Sequence, residues 1–460
     1  MTKTTPGRRW QALMPALGLL LLCNGGSSFA ATQSPIALGG DHPLGLIPEN
    51  SDLRRRDLET FISAAATRSQ SLAKASFENP WGEWQRQSIR SGSSLYLVYS
   101  ARRAGAWPLY SQGSWIAKKD TKSGNILQIK LFIKSDPGSF MRIYPDSGRV
   151  YLDLVMYGGV ISEGVPLPFD WKTCLTIKTS EIIEATRATV DWTLLEPDPA
   201  EYADVAILAD NIRRGLSTLR YADDGGLDEE GRLVYLRTGL PQPAKTAGLN
   251  CSGFAQWVID GLIRPETGTF VGASELSRRN EETRKSSLVE RYEESLDPYF
   301  GLDWTRNLAF AARAVLESSR QKSILGSDLR EAPFALIAPT RSAINGGREY
   351  IDFPAYAQDA GFPTEGLASM LWWQAIHNPG YFYLASLSEQ DRRGLRHHYH
   401  VAVLLPWFDS GGAFNVDVFE SAAETSLIAL SARTAGQMVH LVRVKAARDF
   451  EAPGPRGSAD

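Results

Sequence analysis

The most obvious reactive group in this 460-residue chain is the thiol of Cys251, in the segment GLNCSGFAQWV of residues 248–258. Asn250 is a residue type that caps helices, and apolar residues follow it at the spacing of one helical face. A helix is therefore expected to begin at Cys251. The positive end and free N–H groups of a helix stabilise a thiolate, the nucleophilic form of cysteine. The alternative for such a residue is a small, inert core cysteine.

A base for this thiol is expected in a hairpin near the C-terminus. Residues 400–405 read HVAVLL, which predicts a buried strand that begins at His400. The turn residues DSGG at 409–412 separate it from a second predicted strand at 414–420. The two runs are therefore predicted to pair as antiparallel strands.

The register of this hairpin decides which carboxylate faces the imidazole. If the turn is centred on Ser410, His400 and Glu420 lie directly opposite each other, close enough for a hydrogen bond. A slip of two positions brings Ala422 or Val418 opposite His400 instead. Asp417 is the fallback carboxylate, although this register places it too far along the strand.

Cys251, His400 and Glu420 supply the three groups that a thiol-dependent acyl hydrolase requires. The imidazole takes the thiol proton and later protonates the leaving group. The carboxylate selects the imidazole tautomer and stabilises its positive charge. Backbone N–H groups of Cys251 and Ser252 are expected to hold the oxyanion.

These segments resemble the catalytic motifs of NlpC/P60-type cysteine peptidases. NCSGF at 250–254 resembles the family motif Asp-Cys-Ser-Gly-Phe, with Asn250 in place of Asp. HVAVLL at 400–405 resembles the family's His-Val-Gly-Ile-Tyr-Leu strand, and FESA at 419–422 resembles the strand that carries the third catalytic residue. Tyr221, followed by two glycines, resembles the family's Tyr-x-x-Gly-Gly segment, with one additional residue before the glycines.

The resemblance implies a papain-like α+β catalytic domain without a metal or cofactor. It also implies an amidase that cleaves peptidoglycan stem peptides, with Tyr221 as a substrate-side hydroxyl. The family usually has His in the third catalytic position, whereas related papain-like hydrolases can use Glu, as at Glu420. The long separation of Cys251 from His400 implies a helical insertion.

Composition shifts and turn signals predict several segments along the chain. A β-rich domain is expected from the short β-branched and aromatic runs that precede a Pro-rich boundary at 196–199. The predicted segments are a signal peptide at 1–30, a lead-in and helix at 31–80, a β-rich domain at 81–200, a catalytic domain at 201–450 with an insertion at about 264–373, and a flexible tail at 451–460.

Local patterns predict individual elements within these segments. Pro265 is expected to end the helix that begins at Cys251. A helix is expected from Leu53 to the Asn79-Pro80 breaker. Strands are predicted at 94–99, 126–133, 150–157 and 174–179, and a helix at 205–219.

The N-terminal segment predicts export. Basic residues precede an apolar run from Ala12 to Leu22, and small residues end at Ala30, which is the layout of a cleaved secretory signal too short to span a bilayer. Lipoprotein processing at Cys23 is disfavoured because Leu22 precedes it. A net charge of −3 and a pI near 6.2 give no reason to expect nucleic acid as a partner.

Several alternatives remain open from the sequence. The substrate is either a peptidoglycan peptide or another acyl group on a lipid or protein, and a noncatalytic envelope-binding protein is a further possibility. A disulfide between Cys174 and Cys251 would inactivate the nucleophile. A metal pair at His398 and His400 is disfavoured because no further ligand set accompanies it. The oligomeric state is left open.

Overall fold

The computed structural model describes residues 41–280, 297–317, 323–331, 335–336 and 356–454. The predicted signal peptide lies outside these residues, as do parts of the predicted insertion and tail. The described chain is mixed α and β, as predicted, with large antiparallel sheets. Its helices are α1 (Ser51–Arg56), α2 (Ala66–Ser71), α3 (Trp171–Cys174), α4 (Thr179–Thr186), α5 (Ala203–Gly215), α6 (Cys251–Thr267), α7 (Ala273–Leu276), α8 (Phe300–Leu316), α9 (Leu367–His377) and α10 (Leu427–Arg433). Its strands are β1 (Ala75–Asn79), β2 (Gly82–Ser91), β3 (Ser94–Ala101), β4 (Trp115–Asp120), β5 (Ile126–Phe132), β6 (Phe140–Asp146), β7 (Arg149–Met156), β8 (Gly159–Leu167), β9 (Gly226–Leu227), β10 (Leu233–Val234), β11 (Ala335–Leu336), β12 (Phe362–Pro363), β13 (Tyr381–Gln390), β14 (Arg396–Phe408), β15 (Phe414–Glu420), β16 (Ala423–Ser426) and β17 (Met438–Lys445).

The N-terminal sheet is an antiparallel meander of β1 to β8 in sequence order, with β11 added beside β8. The strands predicted at 94–99, 126–133 and 150–157 are confirmed as β3, β5 and β7. Alternating apolar residues of these strands pack with α1, α2 and α4 in one core, in which Trp84 and Trp115 are fully buried. These two tryptophans therefore belong to the core of the sheet.

Two local predictions in this region are wrong. No strand forms at 174–179: α3 ends at Cys174 and α4 begins at Thr179. The cause is a cap, because the Asp170 carboxylate accepts the Thr173 N–H at 2.7 Å and starts a helix despite the β-branched composition. The continuous helix expected after Leu53 is divided into α1, a π-helical turn and α2, and β1 already begins at Ala75.

The C-terminal sheet has the order β12-β17-β13-β14-β15-β16, with every neighbouring pair antiparallel. Its central strand β14 is buried on both faces. Val401 and Val403 pack in the core that contains α6 and α8, whereas Ala402 and Leu404 pack in the core that contains α9 and α10. This double burial explains the uninterrupted apolar run that predicted the strand.

Helices α6 and α8 pack against each other and both contact this sheet, although α8 falls within the predicted insertion. Trp304 of α8 is fully buried, and its Nε1–H donates to the Ser252 carbonyl at 2.8 Å. A residue of the predicted insertion thus supports the first turn of the helix that carries the cysteine. The boundaries of the insertion themselves remain a prediction.

Pro265 does not end α6, which continues to Thr267 before Gly268 adopts a left-handed conformation with φ 69°. A proline at this position removes the N–H that the Gly261 carbonyl would accept. The Glu451 N–H donates to that carbonyl instead, at 2.9 Å. The same C-terminal segment accepts the Trp257 Nε1–H at the Pro453 carbonyl, 2.8 Å away. The start of the predicted flexible tail is therefore anchored on α6.

Candidate active site

Cys251 is the first residue of α6, and the predicted cap is formed. The Gly253 N–H donates to Asn250 Oδ1 at 2.8 Å, and the Asn250 N–H donates to the Gly225 carbonyl at 3.0 Å. A Cβ atom on Gly253 would lie 2.0 Å from that same carbonyl oxygen, so the loop that carries Gly225 can approach only a glycine. The backbone around the thiol is therefore fixed from two sides.

The predicted hairpin of β14 and β15 forms, but β14 begins at Arg396 instead of His400 and the register differs. Val403 pairs with Phe419, which centres the turn on Gly411 instead of Ser410. The reason is the side chain of Asp409, whose Oδ1 accepts the Gly411 N–H at 2.9 Å and stabilises a longer loop. The predicted register is therefore wrong by two positions.

His400 and Glu420 meet in spite of this offset. Both lie on the face of the sheet that carries Leu404 and Val418, displaced diagonally by two positions, which long side chains can span. His400 Nε2 and Glu420 Oε2 are 2.6 Å apart. The imidazole is also close enough to the Cys251 thiol to lower its pKa, and Nδ1 is the ring nitrogen that Glu420 leaves available for the sulfur.

The turn after Glu420 has an unusual backbone. Ser421 and Ala422 have φ values of 49° and 65°, although neither is a glycine, and they connect β15 to β16 as a two-residue turn. Such conformations cost free energy for residues with a Cβ atom and concentrate at functional sites. The strained turn fixes the end of β15, where the Glu420 carboxylate projects towards the imidazole.

Arg433 is a fourth member of the site that the sequence analysis missed. Its Nη2 donates to Glu420 Oε1 at 2.5 Å, so both carboxylate oxygens are engaged. Arg433 lies in the last turn of α10, and only the packing of that helix beside β15 brings it to Glu420. A basic residue near the end of a helix is too common a pattern to have indicated this role.

The charges of these groups reinforce one another. Burial raises the pKa of Cys251, but the hydrogen bond and charge of His400 outweigh it and hold the pKa below its ordinary value. Burial lowers the pKa of His400, but the interactions with Cys251 and Glu420 raise it to about 9. Burial raises the pKa of Glu420, but His400 and Arg433 lower it overall. At neutral pH the arrangement therefore favours a thiolate beside an imidazolium.

The remaining predicted site residues lie at different distances from the sulfur. Ser252 is buried, and its side chain is one of the groups that lower the pKa of the Cys251 thiol. Tyr221 is 60% exposed, pairs through its backbone with Leu249, and is close enough for the Cys251 charge to act on its hydroxyl. Asp417 does not reach His400, because its carboxylate accepts the Trp407 Nε1–H at 2.8 Å and pairs with Arg213.

Tyr399 is a second residue that the sequence analysis missed. It is the additional residue of a β-bulge in β14, between His398 and His400 in the pairing with β13. A bulge redirects a side chain, and the Tyr399 ring lies beside the His400 ring, with centroids 6.1 Å apart at 24°. Its hydroxyl donates to Gln437 Oε1 at 2.6 Å. An ordered, 39% exposed aromatic ring thus borders the imidazole.

The other cysteine and the other histidines make different contacts. Cys174 and Cys251 are both free, which excludes the disulfide considered above, and burial raises the pKa of Cys174 to about 12. His398 is buried, with Nδ1 beside Ser386 Oγ at 2.9 Å and Nε2 beside the Asp359 carbonyl at 2.8 Å. Across the described ranges, no three His, Cys, Asp or Glu side chains are grouped as metal ligands.

Comparison with known proteins adds one finding, and it concerns the N-terminal sheet. Residues 44–194 match the model of a family described as "Domain of unknown function (DUF8515)". The match spans β1 to β8 and ends before α5, so it includes none of Cys251, His400 and Glu420. No curated protein and no solved structure matches the chain. In the part of the chain that is described, no helix has both the length and the apolar character to cross a membrane.

Proposed function

We propose that the protein is a thiol-dependent acyl hydrolase with a papain-like catalytic domain similar to NlpC/P60 peptidases. The observation that carries the proposal is the unbroken chain of contacts from the Cys251 thiol at a helix N-terminus through His400 to Glu420. A core cysteine that serves only packing has no need of a paired imidazole and carboxylate. The Cys174 thiol illustrates the difference, since burial and the negative charge of Asp170 both raise its pKa and no imidazole lowers it.

In this mechanism His400 Nδ1 takes the thiol proton, and the Cys251 sulfur attacks the acyl carbonyl. The imidazolium then protonates the leaving nitrogen, which breaks the C–N bond and leaves an acyl-enzyme. His400 next removes a proton from water, whose oxygen attacks the thioester and releases the acid. Glu420 stabilises the imidazolium at each step and preserves the tautomer that presents Nδ1 to the sulfur.

The proposed substrate is an amide bond in a peptidoglycan stem peptide, which is what the NlpC/P60 resemblance implies. Export through the predicted signal at 1–30 would bring the protein to that polymer. The placement of Tyr221 beside the cysteine supports the resemblance, because the family has a tyrosine at the corresponding point of the sequence. The geometry of the triad by itself supports acyl chemistry of any amide or ester that fits the cleft.

The test is mass spectrometry of fragments released from purified cell-wall sacculi by the mature protein. The wild type should release defined stem-peptide fragments, whereas Cys251→Ala and His400→Ala should release none while retaining the wild-type circular dichroism spectrum. Cys174→Ala is the matched control and should be fully active, because that thiol lies in the N-terminal core. Turnover by Cys251→Ala would contradict the mechanism.

If the wild type releases no fragments from sacculi, the substrate is not a peptidoglycan peptide and other materials are tested. Acyl products released from lipid extracts would then identify a lipid acyl hydrolase or acyltransferase. Binding to cell wall that is unchanged in Cys251→Ala, without products from either material, would identify a noncatalytic envelope-binding protein.

A further inference from the structure

The guanidinium of Arg433 is bound to Glu420 through one nitrogen, and the rest of the side chain is largely exposed to solvent. Its Nη2 is bound to Glu420, a residue that is only 8% exposed, yet the Arg433 side chain itself is 55% exposed. Within the described residues, the guanidinium makes no further hydrogen bond. A planar guanidinium presents five donors in a geometry that matches a carboxylate. Anchoring by Glu420 orders this group before any ligand arrives, which reduces the entropic cost of binding.

Arg433 is linked through Glu420 to His400, the residue that protonates the leaving group in the proposed mechanism. The leaving nitrogen must collect its proton from His400 Nδ1, and the opposite ring nitrogen is bound to Glu420, which in turn is bound to Arg433. This path from Nδ1 to the guanidinium measures less than about 10 Å, which about three extended residues can span at ~3.3 Å each. A group carried a few residues beyond the scissile bond can therefore reach Arg433.

The ring of Tyr399 borders the same region. It lies beside the imidazole, and the charges of Arg433 and Glu420 both act on its hydroxyl. The hydroxyl is held by Gln437, whose Nε2 donates to Glu389 Oε2 at 3.2 Å. A fixed aromatic wall and an ordered cation therefore occur together next to His400.

We propose that Arg433 recognises a carboxylate on the leaving side of the substrate, within about three residues of the scissile bond. The inference rests on the proposed hydrolase function and narrows its substrate class to peptides with an anionic leaving segment. The amine product of the C–N cleavage would carry that carboxylate. A lipid amine or a fatty alcohol presents no such anion and would be a poor leaving group at this site.

The experiment compares two stem peptides that are identical except for a terminal carboxylate or a terminal carboxamide on the leaving side. The ratio of their kcat/KM values is measured for the wild type, Arg433→Gln and Arg433→Lys. The wild type should favour the carboxylate about tenfold or more, mainly through KM, since a charge-assisted hydrogen bond has that strength. Arg433→Gln should reduce the ratio to about one, and Arg433→Lys should retain part of it, because lysine keeps the charge without the planar fork.

The ratio separates recognition from catalysis. Loss of Arg433 also disturbs Glu420 and should lower kcat/KM for both peptides. That effect is common to the two peptides and cancels in the ratio of their kcat/KM values. Arg393→Gln is the control for net charge, because Arg393 lies in the β13–β14 turn with its Nε on Asp391, and its ratio should equal that of the wild type. A wild-type ratio near one, or an unchanged ratio in Arg433→Gln, would overturn the inference while leaving the hydrolase intact. Cleavage of neither peptide would overturn both.

Discussion

Replacement of Glu420 by Gln tests whether the carboxylate determines the charge state of the site. The substitution keeps the size of the side chain but removes the charge that lies 2.6 Å from His400 Nε2. A hydrogen bond to a charged group contributes about 1.5–3 kcal/mol, which corresponds to a roughly 10- to 150-fold change in an equilibrium. Because Glu420 is nearer to the imidazolium than to the sulfur, its charge favours the thiolate–imidazolium pair over the neutral pair. In Glu420→Gln the pKa of His400 should fall from about 9, and the pKa of Cys251 should rise.

The rate of Cys251 alkylation by iodoacetamide, measured from pH 5 to 10 by peptide mass spectrometry, reports the thiolate population without a substrate. The wild type should react well below the ordinary pKa of a thiol, and Glu420→Gln should react roughly tenfold or more slowly at pH 7. Asp417→Asn is the matched control on the same strand and should keep the wild-type profile, because Asp417 contacts Trp407 and Arg213 instead. Superimposable profiles for Glu420→Gln and the wild type would refute the reasoning.

Three further predictions concern the support of α6, the helix that begins at Cys251. Asp260 is fully buried on α6, and this burial raises its pKa to about 7. Above about pH 4 the unfolded state releases the Asp260 proton, whereas the folded state keeps it up to about pH 7. The free energy of unfolding should therefore fall as the pH rises from about 4 to about 7. Asp260→Asn should show a smaller fall in the free energy of urea unfolding, and an equal fall in both proteins would contradict the assignment. Trp304→Phe removes the donor to the buried Ser252 carbonyl and should lower the free energy of urea unfolding by about 1–3 kcal/mol. An unchanged urea midpoint would show that this hydrogen bond does not stabilise the fold. Gly253→Ala places a Cβ atom 2.0 Å from the Gly225 carbonyl oxygen and should destabilise the fold by roughly 3 kcal/mol or more, so native-like stability would argue against this close packing.

Much of the site could be predicted from the sequence because its signals are local. An Asn before an apolar helical stripe is sufficient to place Cys251 at a helix N-terminus, and the cap forms as expected. An apolar run, a Gly-rich turn and a second run are sufficient to place His400 and Glu420 on paired strands. These inferences succeed because capping and strand formation depend on neighbouring residues in the chain.

Predictions failed where a distant or unrecognised partner intervened. Pro265 would end an isolated helix, but the Glu451 N–H satisfies the carbonyl that the proline leaves unpaired. The composition of 174–179 favours a strand, but the Asp170 cap starts a helix just before it. The strand propensity that the cap outweighed spans about 1 kcal/mol, whereas a proline in a helix interior costs about 3 kcal/mol, and the bond from Glu451 offsets part of that cost.

The sequence by itself determined which cysteine, histidine and carboxylate make up the proposed site, because residue types and short spacings limit what each segment can form. Only the tertiary structure decided how they meet. The β14–β15 register sets Glu420 diagonally to His400, within reach of its imidazole, and the docking of α10 brings Arg433 to the other carboxylate oxygen. Such placement depends on the packing of segments far apart in the chain, and the favourable contacts that select one register exist only after those segments have come together.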